Sequence, residues 1–256
     1  GFLDRPLVDQ WMVQLCVYLR SQFPALSIRP LHFEHLATYD IDESFAYRHK
    51  PIWRQAAGLF RDLMLFRFGW VVERIRVLRK RSPDPYDAFS FLQSLHADTS
   101  TRPICFLLMA EQRSEYDKNL PPDHPAQQEL IRSLSNWSDL ALHPSWRSAS
   151  DFDLLEKEKK DLEGLVHRSI LASRQHYIRF RLPQTYRNLM VAGFQADYSM
   201  GYGSINGFRA STARSFEWYD LKRDQVTSLR VHPFCYMEAN SYYEQRDTIE
   251  EAAQEW

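Results

Sequence analysis

Apolar positions recur at helical spacing over residues 6–22 (PLVDQWMVQLCVYLRSQ), through Leu7, Trp11, Val13, Leu15, Val17 and Leu19. This predicts an N-terminal helix whose exit is bracketed by Pro24 and Pro30. Residues 32–42 carry Phe33, Leu36, Ala37 and Ile41 and end in two acids, the pattern of a strand that delivers carboxylates to a sheet edge. Residues 53–81 return to helical periodicity and close on the basic run RVLRKR, read as a solvated helix end, before the breaker SPDP. A short helix is expected over 88–95. RPICFLLMA (102–110) is a continuous apolar run of strand length, as in a strand buried on both faces. Then follow a helix over 124–134, a short strand DLALH (139–143), a helix over 150–167 opened by Ser150 or Asp151, a strand over 170–180 and a helix over 183–191. Short extended pieces are expected at 194–198, 207–209 and 226–237, with a terminal helix in the acidic DTIEEAAQEW. Strand and helix alternate. The implied class is α/β with a mostly parallel sheet, covered by helices or curled into a barrel, its functional groups at the carboxyl ends of the strands.

The composition narrows the function classes. With 256 residues and 44% hydrophobic positions, the chain suits one large domain that buries a real core. Thirty-two basic against 33 acidic residues leave a formal charge of −1, so no global field draws it onto nucleic acid or an anionic membrane. No apolar run approaches the ~20 residues of a membrane span, and the opening GFLDRPLVDQ lacks the form of a signal peptide, although a start at Gly1 leaves a removed leader open. Cys16, Cys105 and Cys235 lie far apart within apolar segments, which reads as buried free thiols in a reducing, cytoplasmic compartment. Cationic charge rests on 25 Arg and only 7 Lys, a bias toward planar multi-donor cations. Eight glycines are few, and no phosphate-binding glycine motif is present.

Three segments could carry chemistry. Tyr39-Asp40-Ile41-Asp42 sets two acids two apart at a strand end, on one face of the sheet. They either divide labour, one ligating a metal and one acting as a base, or simply cap a turn as exposed acids. Leu142-His143-Pro144-Ser145-Trp146 aims an imidazole from a strand's carboxyl end, a placement that suits a metal or a structural histidine. In RQHYIRFRLP (174–183), a strand would put Arg174 and His176 on one face and Arg179 and Arg181 on the other. An arginine there either aligns Asp40 or pairs with neighbouring acids.

In their order, TYDID (38–42), CFLLM (105–109), DLALHPSW (139–146), RQHYIRFRLP (174–183), AGFQADYSMGY (192–202) and GFRAST (207–212) resemble the polysaccharide deacetylases, the NodB-like superfamily or carbohydrate esterase family four. The likeness extends over residues 33–240 and is greatest to a branch tied to cell-surface polysaccharide and O-antigen (lipopolysaccharide) assembly. It implies a single catalytic domain over 1–256: a distorted, incomplete (β/α) barrel, TIM-barrel-related, of about seven parallel strands, with an N-terminal helical extension (1–30) and a helical insertion (45–87). It implies a divalent metal, usually zinc, and hydrolysis of N-acetyl groups on a saccharide substrate. On the family pattern Asp40 is the general base, and Asp42 and His143 are metal ligands. Arg147 stands where the family has its second motif histidine, and His176 is the candidate replacement, since a catalytic zinc takes three protein ligands plus water. Either Arg174 or Arg181 matches the arginine that orients the base, and His232 stands near the place of the general acid. Arg209, Trp146, Tyr177 and Tyr202 are expected substrate contacts. The alternatives are an inactive glycan- or partner-binding member, for which Arg147 speaks, and a hydrolase of another acyl group.

Overall fold

A computed structural model describes residues 2–29, 32–99 and 101–255; Pro30, expected to close the N-terminal helix, and Trp256, in the expected terminal helix, lie outside them. The chain divides into two compact units: Gly1–His35, Pro144–Glu156 and Ile170–Trp256 form one, and Leu36–His143 with Lys157–Ser169 form the other.

In the second of these, three strands β1 (Thr38–Ile41), β2 (Ile104–Leu108) and β3 (Asp139–His143) run parallel in the order β1-β2-β3. Every residue of β2 is buried, as its unbroken apolar run requires. Leu107 and Leu108 pack in a core that also takes Ile131, Leu134, Leu142 and Leu162. Helix α5 (Pro125–Ser135) is started by His124, whose Nδ1 accepts from Ala126 N–H at 3.1 Å, and by Pro125, which needs no donor at that position. Helix α6 (Phe152–Val166) is opened by Asp151, which accepts from Leu154 N–H at 3.1 Å.

The expected single helix over 53–81 is two, α2 (Ile52–Met64) and α3 (Phe68–Leu78), broken where Phe66 adopts φ 54°. They pack through charge: Asp62 and Arg74 are buried, with Nη2 donating to Oδ2 at 2.7 Å. Gly58 lies at this crossing, where a Cβ would stand 2.7 Å from Arg74 Nη2 and the guanidinium would have to shift. Helix α4 (Phe89–Leu95) follows as expected.

In the other unit β4 (Ala172–Ser173), β5 (Ala196–Asp197), β6 (Phe216–Asp220) and β7 (Gln225–Val231) are ordered β4-β5-β7-β6, parallel except for β6 against β7. Helix α7 (Gln184–Val191) sets Tyr186 and Leu189 into a core with Phe194, Leu229 and Val231. Its Arg187 grips the Asp220 carboxylate with Nε at 2.7 Å and Nη2 at 2.9 Å. Helix α1 (Leu7–Gln22) is tied down by Asp9, which accepts from Thr212 Oγ1 at 2.7 Å and Ala213 N–H at 2.8 Å. Helix α8 (Ile249–Glu255) follows near the end of the chain.

The α/β class and the mostly parallel strands agree with expectation. Strand β6 was missed, and residues 207–209 are not extended. The strand expected over 170–180 shrinks to β4. The chain then turns through a 3₁₀ segment at His176–Ile178, where Tyr177 and Ile178 take φ 55° and 52°. A two-sided reading of 174–181 therefore fails, because alternation of faces holds only for an extended chain. The cysteines are free, but only Cys105 is buried; Cys235 is exposed.

Candidate metal centre

Parallel register brings three chemically competent side chains to one edge. Ile41 pairs with Leu107 and Leu108 pairs with His143, so the carboxyl ends of β1 and β3 finish level beside β2. Asp40 lies within β1, Asp42 directly after it, and His143 closes β3. His143 Nε2 lies 3.2 Å from Asp42 Oδ1 and 3.9 Å from Asp40 Oδ2. The imidazole is 2% exposed, whereas the Asp40 and Asp42 side chains are 27% and 49% exposed. A buried ring is thus held against carboxylates that solvent still reaches.

The donor set suits a divalent cation. Two ligands of one zinc, each at about 2.0–2.1 Å and tetrahedrally disposed, stand about 3.3 Å apart, which the Asp42–His143 separation matches. Asp40 is farther from the imidazole nitrogen, with Oδ2 at 3.9 Å.

His176, in the other unit, is buried in the 3₁₀ turn, with its ring edge-on to Tyr177 at 4.4 Å. Tyr177 also meets Trp146 edge-on at 5.5 Å, and the Arg179 guanidinium lies 4.3 Å over the Trp146 ring. Trp146, Arg147 and Arg179 line an open depression of about 570 Å³ together with Asp151 and Asp153. The Arg147 side chain is exposed there.

The remaining expected site residues of this unit form further groups. Arg174 is buried, its Nε donating to Tyr198 O at 3.0 Å and its guanidinium 5.3 Å over Phe234. Arg181 is exposed, its backbone N–H held by Thr185 Oγ1. His232 stacks flat on Tyr198 at 4.4 Å, and burial, with the nearby Arg230, holds its pKa below the ordinary 6.5. Its imidazole is therefore mostly neutral at pH 7. Arg209 donates to Gly201 O at 3.0 Å and lies 4.6 Å over Phe180 and 5.9 Å over Tyr202.

Sequence reasoning missed Asp197, although it stands within the quoted AGFQADYSMGY segment. It is fully buried at the end of β5, accepting from Ser199 N–H at 3.0 Å, Ser199 Oγ at 2.8 Å and Ser173 Oγ at 3.3 Å. Burial pushes its carboxyl up to about 6 despite those donors. The only available signal was an acid embedded between small and aromatic residues, which does not distinguish a buried carboxyl from an exposed one.

No family model matches the sequence, and no curated protein does. Among solved structures, this chain is similar to one from Mycobacterium smegmatis described as a presumed polysaccharide deacetylase. The likeness has a TM-score of 0.47 and 14% sequence identity, and it covers 82% of this chain and 64% of that one, less than two thirds of its length.

Proposed function

We propose that this protein is a metal-dependent hydrolase that removes N-acetyl groups from a sugar of a cell-surface polysaccharide or its precursor, with Asp42, His143 and His176 holding a divalent cation, zinc first. The observation that carries the reading is the 3.2 Å approach of Asp42 to the buried His143 imidazole, with Asp40 alongside, at the carboxyl ends of parallel strands. Support also comes from the donor set, one carboxylate and two imidazoles, which is a catalytic zinc composition. The order of sequence segments that resembles the polysaccharide deacetylases supplies the substrate class.

When bound, the cation lowers the pKa of water toward neutrality and polarises the acetamide carbonyl. The protein's own part is proton movement and positioning. Asp40 accepts the proton of the attacking water. His232, mostly neutral at pH 7, must take up a proton before giving it to the leaving amine, so its contribution falls as pH rises through its lowered pKa. Arg174 is the positioning arginine of this scheme, since it is buried and held by Tyr198, whereas Arg181 faces solvent. Trp146, Tyr177, Tyr202 and Arg209 offer ring faces and a cation to sugar.

The test is metal content after chelator-free purification, together with acetate release from N-acetylated oligosaccharides. Asp42→Ala and His143→Ala should lose the metal and His176→Ala should weaken it, whereas Asp40→Asn should keep the metal and lose turnover by at least a hundredfold. Wild-type protein that takes up no zinc, cobalt or manganese refutes the reading. In that event the aromatic and cationic cluster of Trp146, Tyr177 and Arg179 favours a saccharide-binding protein.

A further inference from the structure

The α2–α3 hairpin buries one charged pair, Asp62 and Arg74, at its crossing and leaves most of its large apolar residues exposed. On α2 the stripe Gln55, Gly58 and Asp62 faces Arg74 of α3: Arg74 Nη1 donates to Gln55 Oε1 at 3.1 Å and Nη2 to Asp62 Oδ2 at 2.7 Å. The Arg74 guanidinium also lies 4.6 Å over Tyr47, whose hydroxyl donates to Glu73 at 2.9 Å. On α2 the stripe Trp53, Phe60 and Met64 is left to the surroundings, 62–66% exposed. Phe66 in the connection, at 78%, and Phe68 and Trp70 on α3, at 59% and 53%, continue it. A helix pair normally buries its apolar stripe and exposes its charges. Here a charged pair occupies the crossing and the aromatic stripe is left exposed, an exposure that becomes favourable against an apolar medium.

The charge of the same segment says which medium. Residues 52–81 hold seven arginines and Lys80 against Asp62 and Glu73, a net +6 in a chain of −1, so the rest of the molecule carries −7. Arg61, Arg67, Arg76, Arg79, Lys80 and Arg81 are exposed, and the Arg67 guanidinium lies 5.1 Å over the Trp70 ring, a cation beside an aromatic. An open groove of about 660 Å³ along α3 is lined by Phe68 and Val72 with Arg76. Exposed tryptophan, phenylalanine and leucine together with arginine make the composition of an element lying in a bilayer interface, rings among acyl chains and cations at anionic headgroups. Aliphatic Leu63, Met64 and Leu65 favour hydrocarbon over stacked bases. No helix among the described residues is long and apolar enough to cross a membrane.

We infer that the α2–α3 hairpin is a membrane-docking surface that seats this protein on the face of an anionic phospholipid bilayer. The surface attaches the molecule without spanning the membrane, and the inference stands apart from the metal centre.

The test is sedimentation of the full chain with vesicles of phosphatidylcholine alone or mixed with phosphatidylglycerol, at low and at physiological salt. Wild type should pellet with the mixed vesicles and not with the neutral ones, and added salt should weaken this. Reversal of three exposed cations, Arg67→Glu with Arg79→Glu and Arg81→Glu, should lower partitioning by at least about a hundredfold, since losing each cation alone is worth about fivefold. Trp53→Ser with Phe66→Ser should abolish it while circular dichroism and metal content stay those of wild type, since both side chains are exposed. Equal partitioning to both vesicle types, or none to either, overturns the inference. So does a dimer in sedimentation equilibrium that Trp53→Ser with Phe66→Ser dissolves without vesicle binding, because the face would then be an interface between copies of this chain.

Discussion

Removal of Arg74 strands the Asp62 carboxylate within the α2–α3 hairpin. Asp62 is fully buried, and burial raises its pKa, but hydrogen bonds from Arg74 and Arg61 outweigh this and hold the carboxyl below its ordinary value. Loss of one partner of a buried pair costs about 3–5 kcal/mol. Arg61 remains 3.3 Å from Oδ1 and is itself mostly in water, and Arg74 keeps 8% of its side chain exposed, so the lower end applies, about 3 kcal/mol. Because the chain has two compact units, one unfolding midpoint does not isolate this loss, and local exchange does. Arg74→Ala should accelerate amide hydrogen exchange across α2 and α3 by about a hundredfold, and much less in β2 and β3. Asp62→Leu with Arg74→Met, which removes both charges and fills the space, should exchange no faster than wild type. If Arg74→Ala stays within about threefold of wild type, the pair does not hold the hairpin; if the double variant is as open as the single one, packing and not charge is responsible.

Gly58→Ala should open the same helices despite alanine's helix preference of about 1 kcal/mol, because its Cβ would displace the Arg74 guanidinium; exchange slower than wild type in α2 would refute the close crossing. Asp197 has a folded pKa of about 6 against 3.8 unfolded, so between those values the folded chain holds a proton that the unfolded chain has released. Stability should then fall as pH rises from about 4 to 6, by about 3 kcal/mol in all, and urea midpoints of Asp197→Asn should lack that slope; an unchanged slope assigns it elsewhere. Chelation of wild-type protein should lower Tm by roughly 5–11 °C if the metal had stood at about a hundredfold its Kd, and should leave Asp42→Ala unmoved. An equal drop in both would place the cation away from Asp42.

Much of this molecule is written locally in the chain. Strand β3 over 139–143 and helices α1, α5 and α7 follow from apolar spacing and start signals such as His124-Pro125, because those signals act within a few residues of the structure they produce. The candidacy of Asp40, Asp42 and His143 was legible for the same reason, as polar residues closing apolar strands.

What the tertiary structure alone decided is whatever depends on distant partners. Strands β4 and β5 are two residues each, too short for any period to register, and they exist because parallel neighbours hold them. The left-handed backbone at Tyr177 and Ile178 ended an apparent strand and carried His176 into a buried turn. Phe66 broke one long helix and let the halves fold back, so that Asp62 met Arg74 and the aromatic stripe, which periodicity alone assigns to a core, was left facing outward. Periodicity records that a helix has two faces. Which face is turned inward depends on the free energy of contacts with residues far along the chain, and those contacts form only when the chain closes on itself.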